Sequence, residues 1–186
     1  MKKWIVNNKI LLLISLAAVL LLGLAFNQFQ RGHVPKEVKE QAAKLSTNTS
    51  TKENAHGYSV GEVKGKISVI HDYLNTKLCW GRYQAFDKGS KNWGEIEPTV
   101  NRFIENLDEM IAATEGNEKL QADLMVARQA FTYALENEDK ITLVYLHRIF
   151  HDLDGEINDE TLDKFGYASY ANGDISRVWN HITIKE

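Results

Sequence analysis

Residues 63–78 read VKGKISVIHDYLNTKL, and their reading decides the fold. Val63, Ile67, Ile70, Leu74 and Leu78 recur at steps of four, three, four and four. A helix turns about 100° per residue, so these side chains form one apolar stripe with polar positions around it. His71 falls inside the stripe, between Ile67 and Leu74. This segment therefore predicts an amphipathic helix that places an imidazole on its buried side.

The same period recurs three more times downstream. Val100, Phe103, Leu107, Met110 and Ile111 predict a second helix, starting near Pro98 because proline suits a first helical turn, and ending near Gly116. Asn117 is placed to cap a third helix carrying Leu120, Leu124, Ala127, Phe131 and Leu135. Asn137 to Asp139 make a break, and Leu143, Leu146, Phe150 and Leu153 predict a fourth helix with Gly155 as its stop. Four amphipathic segments with short connections predict an all-α fold, an antiparallel four-helix bundle spanning residues 58–157. Residues 158–186 form a C-terminal aromatic extension expected to pack on it. Asn158 or Asp159 is read as the cap of a short helix through Lys164. Val178 to Ile184 is left open between a strand and a helical turn.

Upstream of the bundle the composition changes twice. Ile10 to Phe26 is an uncharged run behind Lys2, Lys3 and Lys9, spanning roughly 25 Å as a helix. No A-x-A cleavage pattern follows it, so residues 1–30 read as an uncleaved signal-anchor, a single transmembrane helix. The lysines favour a cytoplasmic N-terminus, with the domain on the extracytoplasmic side of the cell membrane. Residues 31–57 are polar, with a Ser/Thr/Asn-rich stretch from Ser46 to Asn54, and read as a flexible linker.

Charge and cysteine content narrow the function. The net charge is −3, and the first 30 residues hold three lysines and no acid, so the rest of the chain is more acidic still. Nucleic-acid binding needs a basic face and is not expected. The one cysteine, Cys79, makes no internal disulfide, and its plain reading is a small buried hydrophobe. P-loop, GxGxxG and HExxH patterns are absent, so the expectation leans away from an enzyme.

Two constellations stand out. On the fourth helix His147, His151 and Asp154 fall within about 60° of one another, on a ridge at the edge of the apolar stripe. With His71 from the first helix they form a candidate metal site, since bundles build such sites from side chains on facing helices. Neutral imidazoles suit a divalent transition metal, the one cofactor this pattern implies. The second constellation is the segment between Trp80 and Trp93. Trp80, Arg82, Tyr83 and Trp93 form a candidate interaction surface, or else plug one end of the bundle.

Two shorter resemblances belong to the same region. His71-Asp72 and His151-Asp152 resemble the paired motif of HD-type phosphohydrolases, but adjacent helical residues diverge by about 100° and cannot chelate together. Asp152-Leu-Asp154-Gly155-Glu-Ile157-Asn158 resembles part of a calcium loop of the EF-hand or dockerin kind. It departs where Phe150 stands for the first acidic ligand and Thr161 for the bidentate acid. The leading expectation is a membrane-anchored extracytoplasmic helical domain acting as a protein-interaction or ligand-binding module. The alternative is a metal-binding helical domain serving as sensor or carrier.

Overall fold

The computed structural model describes residues 36–38, 40 and 59–184. The hydrophobic run and most of the polar linker lie outside the described residues, so the expected anchor does too. Among the described residues no helix is long and apolar enough to cross a membrane. Residues 36–38 and 40 are helical, and Val38 is buried.

The described chain is all-helical, without strands. Four long helices, α1 (Val60–Leu78), α2 (Lys91–Ala113), α3 (Glu118–Asn137) and α4 (Lys140–Ile157), form a helical bundle. A 3-10 turn (Arg82–Ala85) lies between α1 and α2, and a short α5 (Ser176–Thr183) closes the chain. The main packing partners are α1 with α4, α2 with α3, and α3 with α4. The predicted stripes become the core. Ile67, Ile70, Leu74, Leu107, Met110, Leu124, Phe131, Leu146 and Phe150 are all essentially inaccessible.

The helix starts follow from capping. At α1 the Ser59 side chain accepts from the Glu62 N–H while the Glu62 carboxylate accepts from the Ser59 N–H, a reciprocal box that stabilises the first turn. Asn117 caps α3 as expected, by accepting from Leu120 N–H at 3.2 Å. Asp139 caps α4 by accepting from Ile141 N–H at 2.9 Å.

Three expectations are corrected. The second helix begins at Lys91 rather than near Pro98: Ser90 caps it, and Trp93 and Ile96 extend the apolar stripe upstream of the proline. Pro98 sits on the exposed side, where its missing N–H costs one helical hydrogen bond. Gly155 does not stop α4, which runs on to Ile157. Leu162 of the following loop packs over it: a β-carbon at position 155 would lie 3.4 Å from the Leu162 Cβ. Finally, no helix spans 158–164, whereas 176–183 is helical rather than a strand.

The stretch 158–175 is a loop held by two buried carboxylates. Asp152 of α4 accepts from the backbone N–H of Phe165, Tyr167 and Ala168 at 2.6, 2.6 and 3.3 Å. Asp123 of α3 accepts from Ser169 and Tyr170 N–H at 2.9 and 2.8 Å. The loop closes on itself at Gly173, whose added Cβ would lie 2.5 Å from the Gly166 carbonyl carbon. Only glycine permits that approach. The extension thus packs on the bundle through side chains of the bundle itself.

Candidate functional site

The seam between α1 and α4 collects the polar side chains that the apolar stripes leave inside. His71, Asn75 and Cys79 follow one another at four-residue intervals on α1, and His147 and His151 at the same interval on α4. This spacing puts each set on one ridge, and the packing of α1 on α4 brings the two ridges together.

Asp154 lies behind His71. Its Oδ2 is 2.8 Å from His71 Nδ1, and both side chains are buried. Ser68 Oγ–H donates to Asp154 Oδ1 at 2.5 Å and Asn158 Nδ2–H donates to the same oxygen at 2.7 Å. Burial pushes the Asp154 carboxyl up, but these three donors outweigh it and hold it below its usual range. An ionised Asp154 fixes the proton of His71 on Nδ1 and leaves Nε2 as an acceptor, which faces Asn75 Nδ2 at 3.1 Å.

Asn75 is the hub of the seam. Its Oδ1 lies 2.8 Å from His147 Nε2 and accepts from the Cys79 thiol at 3.2 Å. Cys79 Sγ is also 3.6 Å from His147 Nε2. Three residues thus meet at one side-chain amide: Cys79 and His147 donate to its oxygen, and His71 Nε2 accepts from its nitrogen.

His151 completes a triangle of imidazoles. Ring centroids lie 5.6 Å apart for His71 and His147, 5.1 Å for His71 and His151, and 5.8 Å for His147 and His151. Phe165 covers the His151 ring at 4.6 Å. The His151 Nδ1 is buried without a hydrogen-bond partner, its nearest carboxylate being Asp152 at 3.9 Å. Burial, aided by the other histidines and Arg148, pushes His147 down to about 4. His151 is lowered for the same leading reason, desolvation, with His71 next. Both rings are therefore neutral near pH 7, the form in which imidazole binds metals.

The seam opens at one end into a pocket of about 330 Å³ lined by Leu78, Cys79, Tyr83, Ile141, Val144, Tyr145, His147 and Arg148. Its walls are mostly apolar, and Cys79 and His147 give it polar groups that also belong to the seam. Arg148 is anchored by donating to the Tyr167 hydroxyl at 2.8 Å, with its guanidinium over the Phe165 and Tyr167 rings.

The predicted metal residues are therefore brought together, but not as a ready shell. Among the described residues no three His, Cys, Asp or Glu side chains are arranged to hold an ion. Asp154 faces the back of His71 rather than a common centre. The calcium-loop reading is also corrected. Asp152 and Asp154 sit in helix α4 and face opposite ways, each already engaged by protein donors.

Sequence reasoning missed Asn75, Cys79, Ser68 and Asn158. The four-residue spacing of His71, Asn75 and Cys79 was the available signal. Cys79 is only half-buried, and desolvation raises its thiol despite the nearby Arg82. It also lies at the C-terminal end of α1, where the helix dipole opposes a thiolate. Both effects weigh against an activated nucleophile.

The aromatic segment divides. Trp93 is buried, packs on Phe86 and donates its indole N–H to the Asp87 carbonyl, so it plugs the bundle end and drops out of the candidate surface. Trp80 is 85 % exposed, with the Arg82 guanidinium over its ring at 5.6 Å. Tyr83 turns toward the pocket.

Comparisons of the chain with protein-family models, with curated proteins and with solved structures give no match.

Proposed function

We propose that this chain is a ligand-binding module held at the cell membrane by its N-terminal hydrophobic run, with the helical domain on the extracytoplasmic side. The observation that carries the binding reading is the pocket between the end of α1 and the start of α4, where apolar walls meet the polar groups of Cys79 and His147. A concave, mainly apolar site with a few convergent polar groups and a perturbed titratable residue is the general form of a small-ligand site. Tyr83 lines the pocket, and Trp80, three residues before it in the chain, is exposed and offers surface to a larger partner. The anchor reading draws on Ile10 to Phe26 and the lysines before it.

The test is a thermal-shift screen of the detergent-solubilised full chain against small amphipathic compounds, run beside Val144→Trp. The larger side chain occupies the pocket from its rim. Hits that raise the wild-type midpoint and leave Val144→Trp unchanged support the pocket. Hits equally active on both place binding elsewhere. A reporter fused after Glu186 that works only outside the cytoplasm tests the orientation.

A second reading, a sensor or carrier of a divalent transition metal, is favoured by the triangle of imidazoles across α1 and α4.

A further inference from the structure

We propose that Cys79, His147 and His71 form a site for a thiophilic divalent metal ion such as zinc, entered when the Asn75 amide swings out from between them. This rests on the metal-carrier reading of the seam and changes its ligand set. Asp154 becomes the residue behind a ligand rather than a ligand, His151 a neighbour, and Cys79 a ligand.

Cys79 and His147 meet at the oxygen of the Asn75 amide and His71 at its nitrogen, so this one side chain separates the three metal-ligating atoms. Cys79 Sγ, His147 Nε2 and His71 Nε2 lie 3.2, 2.8 and 3.1 Å from atoms of the one Asn75 amide. Cys79 Sγ and His147 Nε2 are 3.6 Å apart. Zinc bonds of about 2.3 Å to sulfur and about 2.0–2.1 Å to nitrogen place two tetrahedral ligands roughly 3.5 Å apart. That pair already stands at ligand spacing, and Asn75 is held by side-chain contacts that a stronger metal bond replaces.

The surroundings fit the same assignment. A metal-bound imidazole characteristically donates its other N–H to a carboxylate, and His71 Nδ1 does so to Asp154. Ser68 and Asn158 in turn fix that carboxylate. On binding, the Cys79 thiol releases its proton to solvent and the sulfur binds as thiolate. His147 Nε2 loses the proton it donates to Asn75 Oδ1, and the ring binds through Nε2 with its one proton on Nδ1, the exchange running through solvent. Cys79 and His147 also line the pocket, so a three-ligand ion leaves its fourth position on that side for water or an incoming group.

The test is titration of the full chain in detergent with cobalt(II), a spectroscopic stand-in for zinc, followed by zinc displacement. The expected result is one equivalent bound, with a thiolate-to-cobalt charge-transfer band that zinc abolishes. Cys79→Ser should lose that band, His147→Ala should lose binding, and Asn75→Ala should bind as tightly as wild type or more tightly. Asp154→Asn should weaken binding by about 10–100-fold while keeping the band. Circular dichroism of Cys79→Ser, a near-isosteric change, separates loss of the site from loss of the fold. Cobalt bound without a thiolate band, or bound as tightly by Cys79→Ser as by wild type, overturns this ligand set and leaves the metal-carrier reading standing. No binding to folded wild type overturns both, while the pocket reading is decided separately by Val144→Trp.

Discussion

Asp152 and Asp154 stand two residues apart on the same helix and hold different halves of the molecule. Asp154 faces α1 and is satisfied by side chains: a histidine, a serine and an asparagine. Asp152 faces the C-terminal loop and is satisfied by three backbone N–H groups. Asp123 repeats the second pattern from α3. These backbone donors fix the path of the loop. The side-chain donors on the α1–α4 seam can rotate, exchange partners or titrate. The contrast separates a region built to hold a shape from one able to change its contacts.

The sharpest way to break the comparison is Asp152→Ala. It orphans up to three backbone donors, each worth about 1–3 kcal/mol when buried, so a loss of about 3–5 kcal/mol is expected in urea denaturation. Hydrogen exchange should show residues 165–170 released before the α1–α4 seam. A loss under about 1 kcal/mol would mean that the loop is held by its aromatic side chains instead.

Asp154→Asn should cost less, about 2 kcal/mol. The amide keeps an acceptor for His71, but its new N–H₂ faces donors from Ser68 and Asn158. If it destabilises as much as Asp152→Ala, the seam is as rigid as the loop and the contrast fails. Asn158→Ala removes one donor from Asp154 and from Ser68 Oγ, 3.1 Å away. About 1 kcal/mol is expected, read from the same urea midpoint. A neutral result would show that solvent takes its place and that this end of the seam is open.

The two regions were not equally legible in the sequence. The α1–α4 seam was visible because its residues lie on helices, where His71 on the stripe and the His147–His151–Asp154 ridge announce themselves by period. Asn75 was overlooked because an amide carries no titrating charge, although it is the side chain on which the others meet. The Pro98 start failed because a proline on a solvent-facing turn imitates a helix start, while the residue that caps the helix, Ser90, lies well upstream of it. The loop anchors were beyond reach. Asp123 meets Ser169 and Tyr170 through their backbone, and a backbone N–H has no letter in a sequence.

The smallest expected effect is a pH dependence in which the two regions oppose each other. Burial raises Asp123 from 3.8 to about 7, against the pull of its backbone donors and with the charge of Asp152 adding to the rise. The folded state then binds more protons than the unfolded one between those values, so this group erodes stability as pH rises from about 4 to 7. His147 runs the other way. Its folded value is lowered from 6.5 to about 4, so its contribution is present above 6.5 and is lost as pH falls toward 4. His151, lowered as well, adds to that second slope. In the wild type the two slopes partly cancel, and the urea midpoint should change little between about pH 4 and 6.5. Asp123→Asn removes the first slope, so its midpoint should climb with pH across that window. His147→Asn removes the larger part of the second, so its midpoint should fall. If both variants keep the wild-type profile, neither buried group titrates with folding, and the seam differs from the loop in its partners alone.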